Sequence, residues 1–116
     1  MTEKTGAAMS SGETFDGGVT EAQIEKWKRQ WGKVVRVDIV DGADLHIGYF
    51  HRPKLEAMSA VAKIAKTDEV KGSEVMFDNC WLGGSDAMRK DAILFMEAAK
   101  QLGQMLSSCQ SSLKNL

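Results

Sequence analysis

Val34-Val35-Arg36-Val37-Asp38-Ile39-Val40-Asp41-Gly42-Ala43-Asp44-Leu45-His46-Ile47-Gly48-Tyr49-Phe50-His51 decides the fold class. The first seven residues are mostly β-branched, which favours a pleated, half-buried strand. Side chains alternate along a strand, so Val35, Val37 and Ile39 share one face and Arg36 and Asp38 the other. Asp41-Gly42 is a strong turn signal, and Gly42-Ala43-Asp44 extends the loop beyond the tightest form. In the returning strand Leu45, Ile47 and Tyr49 share one face, and His46, Gly48 and Phe50 the other. Arg52 ends it, because Pro53 biases the preceding residue toward extended geometry.

Upstream, Thr20 and Gln23 stand at capping-box spacing. Ile24, Trp27 and Trp31 follow on one helical face, and Gly32 stands at the stop position, predicting a helix from 20 to 31. A lone hairpin is marginal in water, so its Val35/Val37/Ile39 face needs cover. The Trp27/Trp31 stripe is the expected cover. Residues 1–19 are rich in Gly, Ser, Thr and acidic residues, and their thin apolar content predicts a disordered tail.

Downstream, Pro53 opens a second helix at the first-turn position, with Leu55, Met58, Val61, Ala62 and Ala65 as its stripe. Thr67-Asp68 marks a break, which leaves open whether 53–66 and 68–82 are one bent helix. Asp68 or Ser73 caps the third helix, which carries Val70, Met76, Phe77, Cys80 and Trp81. Gly83-Gly84 reads as its end. Ser85 or Asp86 then caps a long final helix. There Met88, Ala92, Phe95, Ala99, Leu102, Leu106, Cys109 and Leu113 alternate at spacings of four and three. This is a seven-residue seam about 38 Å long if fully helical. The fold class is therefore α+β: a two-stranded antiparallel hairpin packed with about four helices, in a single domain from 20 to 116.

The chain has 116 residues and a net charge of -1. That balance argues against sequence-independent nucleic-acid binding, which rests on excess positive charge. No apolar run approaches the ~18 residues needed to span a bilayer, and residues 1–18 do not read as a signal peptide. A cytoplasmic setting follows, and with it free thiols at Cys80 and Cys109.

The sequence assembles no chemistry, and the expectation is that the chain is not an enzyme. His46 and His51 point to opposite faces of one strand and cannot chelate one metal, so neither a metal nor a cofactor is expected. Cys80 lacks a local base and reads as a buried small hydrophobe. Gly83-Gly84-Ser85-Asp86 lacks the phosphate-loop pattern and reads as a turn between helices. Lys26, Lys28, Arg29, Lys33 and Arg36 beside Trp27 and Trp31 could serve single-strand stacking, but the tryptophans fit a core stripe better. Met58, Met76, Met88, Met96 and Met105 lie in predicted helices. They are core by default, and a groove for varied partners if several are exposed together.

Three pieces occur in order: Ile24-x-x-Trp27-Lys28 with Gly32-Lys33-Val34; Tyr49-Phe50-x-Arg52-Pro53; and Asn79-Cys80-Trp81-Leu82-Gly83-Gly84 followed by Asp91 and Phe95. In this combination, over residues 20 to 107, the chain resembles the tail assembly chaperones of phages and prophages. The resemblance implies a helper in the bacterial host cytoplasm that coats the helical tape-measure protein and recruits tail-tube subunits. It brings no catalytic residues. The expected partner surface is the seam, at Met88, Phe95, Leu102, Met105, Leu106 and Cys109, with self-association through the same helix equally compatible. The rivals are a nucleic-acid-binding regulator using residues 26–36, an enzyme assembled from His51, Cys80 and distant carboxylates, and a structural subunit of the tail.

Overall fold

The structure is a computed structural model, and it describes residues 12–116. Among these residues the elements run β1 (Thr14–Phe15), α1 (Glu21–Trp31), β2 (Val34–Asp41), β3 (Asp44–His51), α2 (Leu55–Ala65), α3 (Glu69–Cys80), β4 (Trp81–Gly84), α4 (Ala87–Lys90) and α5 (Ala92–Leu106). The class is α+β, as the sequence predicts. The hairpin forms, with Val35 opposite Phe50, Val37 opposite Gly48 and Ile39 opposite His46. Its turn is tighter than expected. Asp41 pairs with Asp44, and Gly42 takes a positive φ of 63° that glycine adopts without steric cost.

The sheet, however, is more than a hairpin. β3 is its centre, with β2 along one edge. Two short strands share the other edge end to end. β1 runs parallel beside Leu45 and His46, and β4 antiparallel beside Gly48 to Phe50. The segment 12–19, expected to be disordered, is thus tied down. Leu45 N–H donates to the Glu13 carbonyl at 2.8 Å, and Asp16 Oδ1 accepts from Gly18 N–H at 2.9 Å. The expectation for residues 1–11 lies outside the described residues.

Gly83-Gly84 is not a turn between helices but the end of a strand. Gly84 has φ 136°, and a Cβ there would stand 2.3 Å from the Ile47 carbonyl oxygen. A Cβ on Gly83 would stand 2.9 Å from Trp27 Cη2. α3 has already ended at Cys80, and the glycine pair lies flat between β3 and α1.

Helices cover both faces of the sheet, and the assignment of faces differs from the expectation. Trp27 of α1 packs on Ile47 and Tyr49, with Trp27 and Tyr49 ring centroids 5.8 Å apart. The Val35/Val37/Ile39 face lies instead under α3, α4 and α5, in one core with Phe50, Met76, Phe77, Cys80, Met88, Leu94, Ala98 and Leu102. Antiparallel pairing puts directly opposed residues on one face, so Val37 follows Gly48 and Val35 follows Phe50 to the helical side.

Local signals set most helix ends. Thr20 Oγ1 accepts from Gln23 N–H at 3.2 Å, and Asp68 Oδ1 from Lys71 N–H at 3.0 Å, so α2 and α3 are separate helices. Pro53 lies before α2 rather than in its first turn, since Lys54 is the N-cap. The long final helix is broken. Asp91 adopts extended geometry (ψ 124°) and caps α5 by accepting from Ile93 and Leu94 N–H, leaving α4 as a single turn.

Gly84→Ala combines a strained backbone with overlap onto a backbone oxygen. It should destabilise the fold by roughly 2–5 kcal/mol, read as a lower melting temperature in circular dichroism. An unchanged melting temperature would contradict the strand assignment.

Candidate functional site

The expected partner seam does not survive as one surface. Met88 is fully buried, because Gly48 leaves room for its thioether against the sheet; a Cβ on Gly48 would lie 2.6 Å from Met88 Sδ. Leu102 is also core. Phe95 is half-buried and packs on Phe77 with centroids 5.1 Å apart. Met105 is half-buried against the β2 side, where it lines a depression with Val35, Val37 and Arg52. Leu106 is exposed, and Cys109 is exposed beyond the helix end. The break at Asp91 causes this. It rotates α4 relative to α5, so residues on either side of it no longer share a face. The methionines divide likewise: Met76 and Met88 are buried, Met58 and Met105 half-buried, and Met96 is the exposed one of the five.

What the fold does build is a groove between α3 and the α4–α5 corner. Its volume is about 670 Å³, and its apolar lining is Val70, Phe77, Ala92, Phe95 and Met96. Val70 is 58% and Met96 52% exposed, both large apolar side chains facing water. The floor is rigid. Phe77 meets Phe50 edge-on at 5.2 Å and stacks on Trp81 at 5.3 Å, so β3, α3, β4 and α5 all join one aromatic cluster. Each such contact is worth about 0.5–1.5 kcal/mol beyond area burial. Charges line the rim and are largely paired with one another. Lys90 Nζ is 2.7 Å from Asp86 Oδ2, and its hydrogen bond and charge hold that carboxyl below the usual carboxylate range. Arg89 reaches Asp78 at 4.0 Å and lies over the Trp81 ring at 5.8 Å. Lys71 pairs with Glu74 at 3.4 Å.

Sequence reasoning missed Val70 and Met96 as surface residues. The signal was present in α5: Leu94, Ala98 and Leu102 repeat at four-residue spacing after the Asp91 cap and define the buried face. Met96 falls off that face.

The histidines occupy opposite faces of β3, as predicted, but neither lies on an open strand. His46 Nδ1 is 2.7 Å from Ser85 Oγ, with both residues buried and Phe15 stacked over the imidazole at 4.8 Å. Serine and histidine at that distance have the makings of a nucleophile and base. Closed off in this way, they instead lock β4 to β3, together with the Ser85 N–H that donates to the Ile47 carbonyl at 2.8 Å. His51 Nδ1 donates to the Arg52 carbonyl at 2.6 Å, and its ring stacks on Trp31 at 3.7 Å. Lys54 Nζ stands 5.6 Å from the Trp31 ring. With Trp27 buried and Trp31 stacked on His51, the two tryptophans form no open platform for bases. Among the described residues, no three or more His, Cys, Asp or Glu side chains gather to hold a metal, and no helix is long and apolar enough to cross a membrane.

Cys80 is fully buried beside Met76 Sδ at 3.7 Å. Desolvation pushes its thiol up to about 11, the opposite of the thiolate a nucleophile needs. The native chain should therefore show one fast-reacting thiol toward a disulfide reagent at pH 8, Cys109, with Cys80 reacting only on unfolding. Raised above the unfolded value near 9, the Cys80 thiol also contributes stability that is fully present below pH ~9 and lost as pH rises toward ~11. Two fast thiols in the native state would contradict this burial.

No family model matches the chain, and no curated protein does. Among solved structures, an uncharacterised protein from Bacillus stearothermophilus is similar, with a TM-score of 0.56 at 21% sequence identity, over 78% of this chain and 99% of that one. At this identity the likeness is one of fold, and a fold does not by itself assign a function.

Proposed function

We infer that this chain is a non-catalytic protein-binding protein that takes a helical partner, and that it acts as a tail assembly chaperone of the phage and prophage kind. The observation that carries the reading is the α3–α5 groove, with Val70 and Met96 exposed above the Phe77/Phe95 floor. An amphipathic helix lays its apolar side chains into such a groove at spacings of three and four residues. Methionine suits the role because its unbranched thioether adapts to varied partners. The partners are then the tape-measure protein, a long helix, and the tail-tube protein.

Co-expression with the tape-measure and tail-tube proteins of the same gene cluster tests this. The chain should co-purify with the tape-measure protein. Val70→Glu and Met96→Glu should each weaken the complex by roughly tenfold or more while leaving the circular dichroism spectrum unchanged. Failure to co-purify with either protein would sink the reading.

A further inference from the structure

His51, at the end of β3, is 5% exposed and has a polar atom that the fold leaves unused. Its Nδ1 donates to the Arg52 carbonyl at 2.6 Å, and Trp31 covers one face of the ring. That hydrogen bond fixes the tautomer. In the neutral ring the proton sits on Nδ1, and Nε2 carries only a lone pair. Nε2 has no hydrogen-bond partner among the described residues. A buried polar atom without a partner is uncommon in a folded chain and calls for one from outside it, water or a ligand.

His51 lines a cavity of about 410 Å³ beside α2, far more room than one water needs and within the usual size of small-ligand sites. Trp31, with Ala57 and Ala60 of α2, supplies its apolar walls. Lys54, Glu56 and Asn79 supply its remaining polar groups. Lys54 Nζ stands 5.6 Å from the Trp31 ring, and it pairs with no carboxylate among the described residues. Asn79 spends one amide N–H on the Val75 carbonyl at 2.9 Å and keeps the other.

We propose that this cavity binds a small organic monocarboxylate with a flat apolar body. The carboxylate accepts from Lys54 and from His51 Nε2, and the body lies among Trp31, Ala57 and Ala60. Nε2 can donate only as imidazolium, because the Nδ1 proton is committed to the Arg52 carbonyl, so binding takes up a proton. With imidazolium and Lys54 positive and Glu56 negative, the cavity keeps one net positive charge. That matches a single carboxylate rather than a dianion such as phosphate. The other elements around His51 face it with Trp31 of α1, Val34 of β2 and Asn79 of α3, none of them charged, and Arg52 beside it in the chain adds positive charge. The site shares no residue with the α3–α5 groove, so it stands or falls apart from the protein-binding reading.

The test is titration of the full chain with benzoate at about pH 6 and about pH 8, followed by nitrogen NMR of the imidazoles. Benzoate should move the His51 Nε2 signal toward imidazolium and leave His46 unchanged. Its dissociation constant should be lower at pH 6 by roughly fivefold or more. Benzyl alcohol, the same body without the charge, should bind roughly tenfold more weakly or less. Phosphate should not displace benzoate. Lys54→Met, at an exposed position, should weaken binding roughly threefold or more with an unchanged circular dichroism spectrum. His51→Gln should remove the pH dependence, and if that variant does not fold, Lys54→Met and the pH comparison decide. No movement of the His51 signal up to about 50 mM benzoate overturns the proposal. So does equal affinity at the two pH values, or displacement of benzoate by phosphate at equal concentration.

Discussion

The close approach of β4 to β3 sets the positions of most other parts of the molecule. Gly84 lies where any side chain would strike the Ile47 carbonyl oxygen, and Gly17 in turn lies where a Cβ would come 2.2 Å from the Gly84 carbonyl oxygen. Three backbones therefore stack with almost nothing between them. The same approach delivers Ser85 to His46, Met88 to the notch over Gly48, and Trp81 to the ring of Phe50. Glycine has no Cβ and adopts positive φ freely, so it can occupy these positions. In unfolded chains it has more freedom to lose, and that cost is offset here by the burial of Trp27, Phe50, Phe77 and Met88.

The α3–α5 groove follows from where that packing ends. β4 turns the chain directly from α3 into the α4 turn and then, at the Asp91 cap, into α5. α3 and α5 consequently diverge around the α4 corner, and the aromatic cluster closes only the bottom of the gap. Val70 and Met96 are left on its walls with more than half of their surface exposed. An exposed apolar surface rimmed by charges is the kind of surface on which the proposed protein-binding role rests. In the proposed role its rigidity is an advantage, because a floor of interlocked rings needs no ordering on binding.

The sequence made some of this legible and hid the rest for identifiable reasons. The hairpin, α1 and the breaks at Thr20, Gly32 and Asp68 were readable because each is set by local chemistry: β-branched alternation, side-chain caps and a positive-φ glycine. β1 and β4 were not. They are two and four residues long, too short to show a period, and Gly83-Gly84 has the same composition whether it stops a helix or passes beneath a tryptophan. Residues 12–19 look too polar to order, yet backbone bonds to β3 hold them. The long seam failed at one residue, since Asp91 carries no sign in periodicity that it will cap rather than continue. Once it caps, Met88 and Phe95 leave a common face, and the real apolar opening appears at Val70 and Met96.

Hydrogen exchange of the chain, alone and bound to the co-expressed tape-measure protein, bears most directly on the central claim that the α3–α5 groove is the working surface. Binding should slow exchange in residues 70–78 and 86–96 and leave β2 and α1 as they were. Protection that appears instead at residues 26–36, or none at all in the groove, would contradict it.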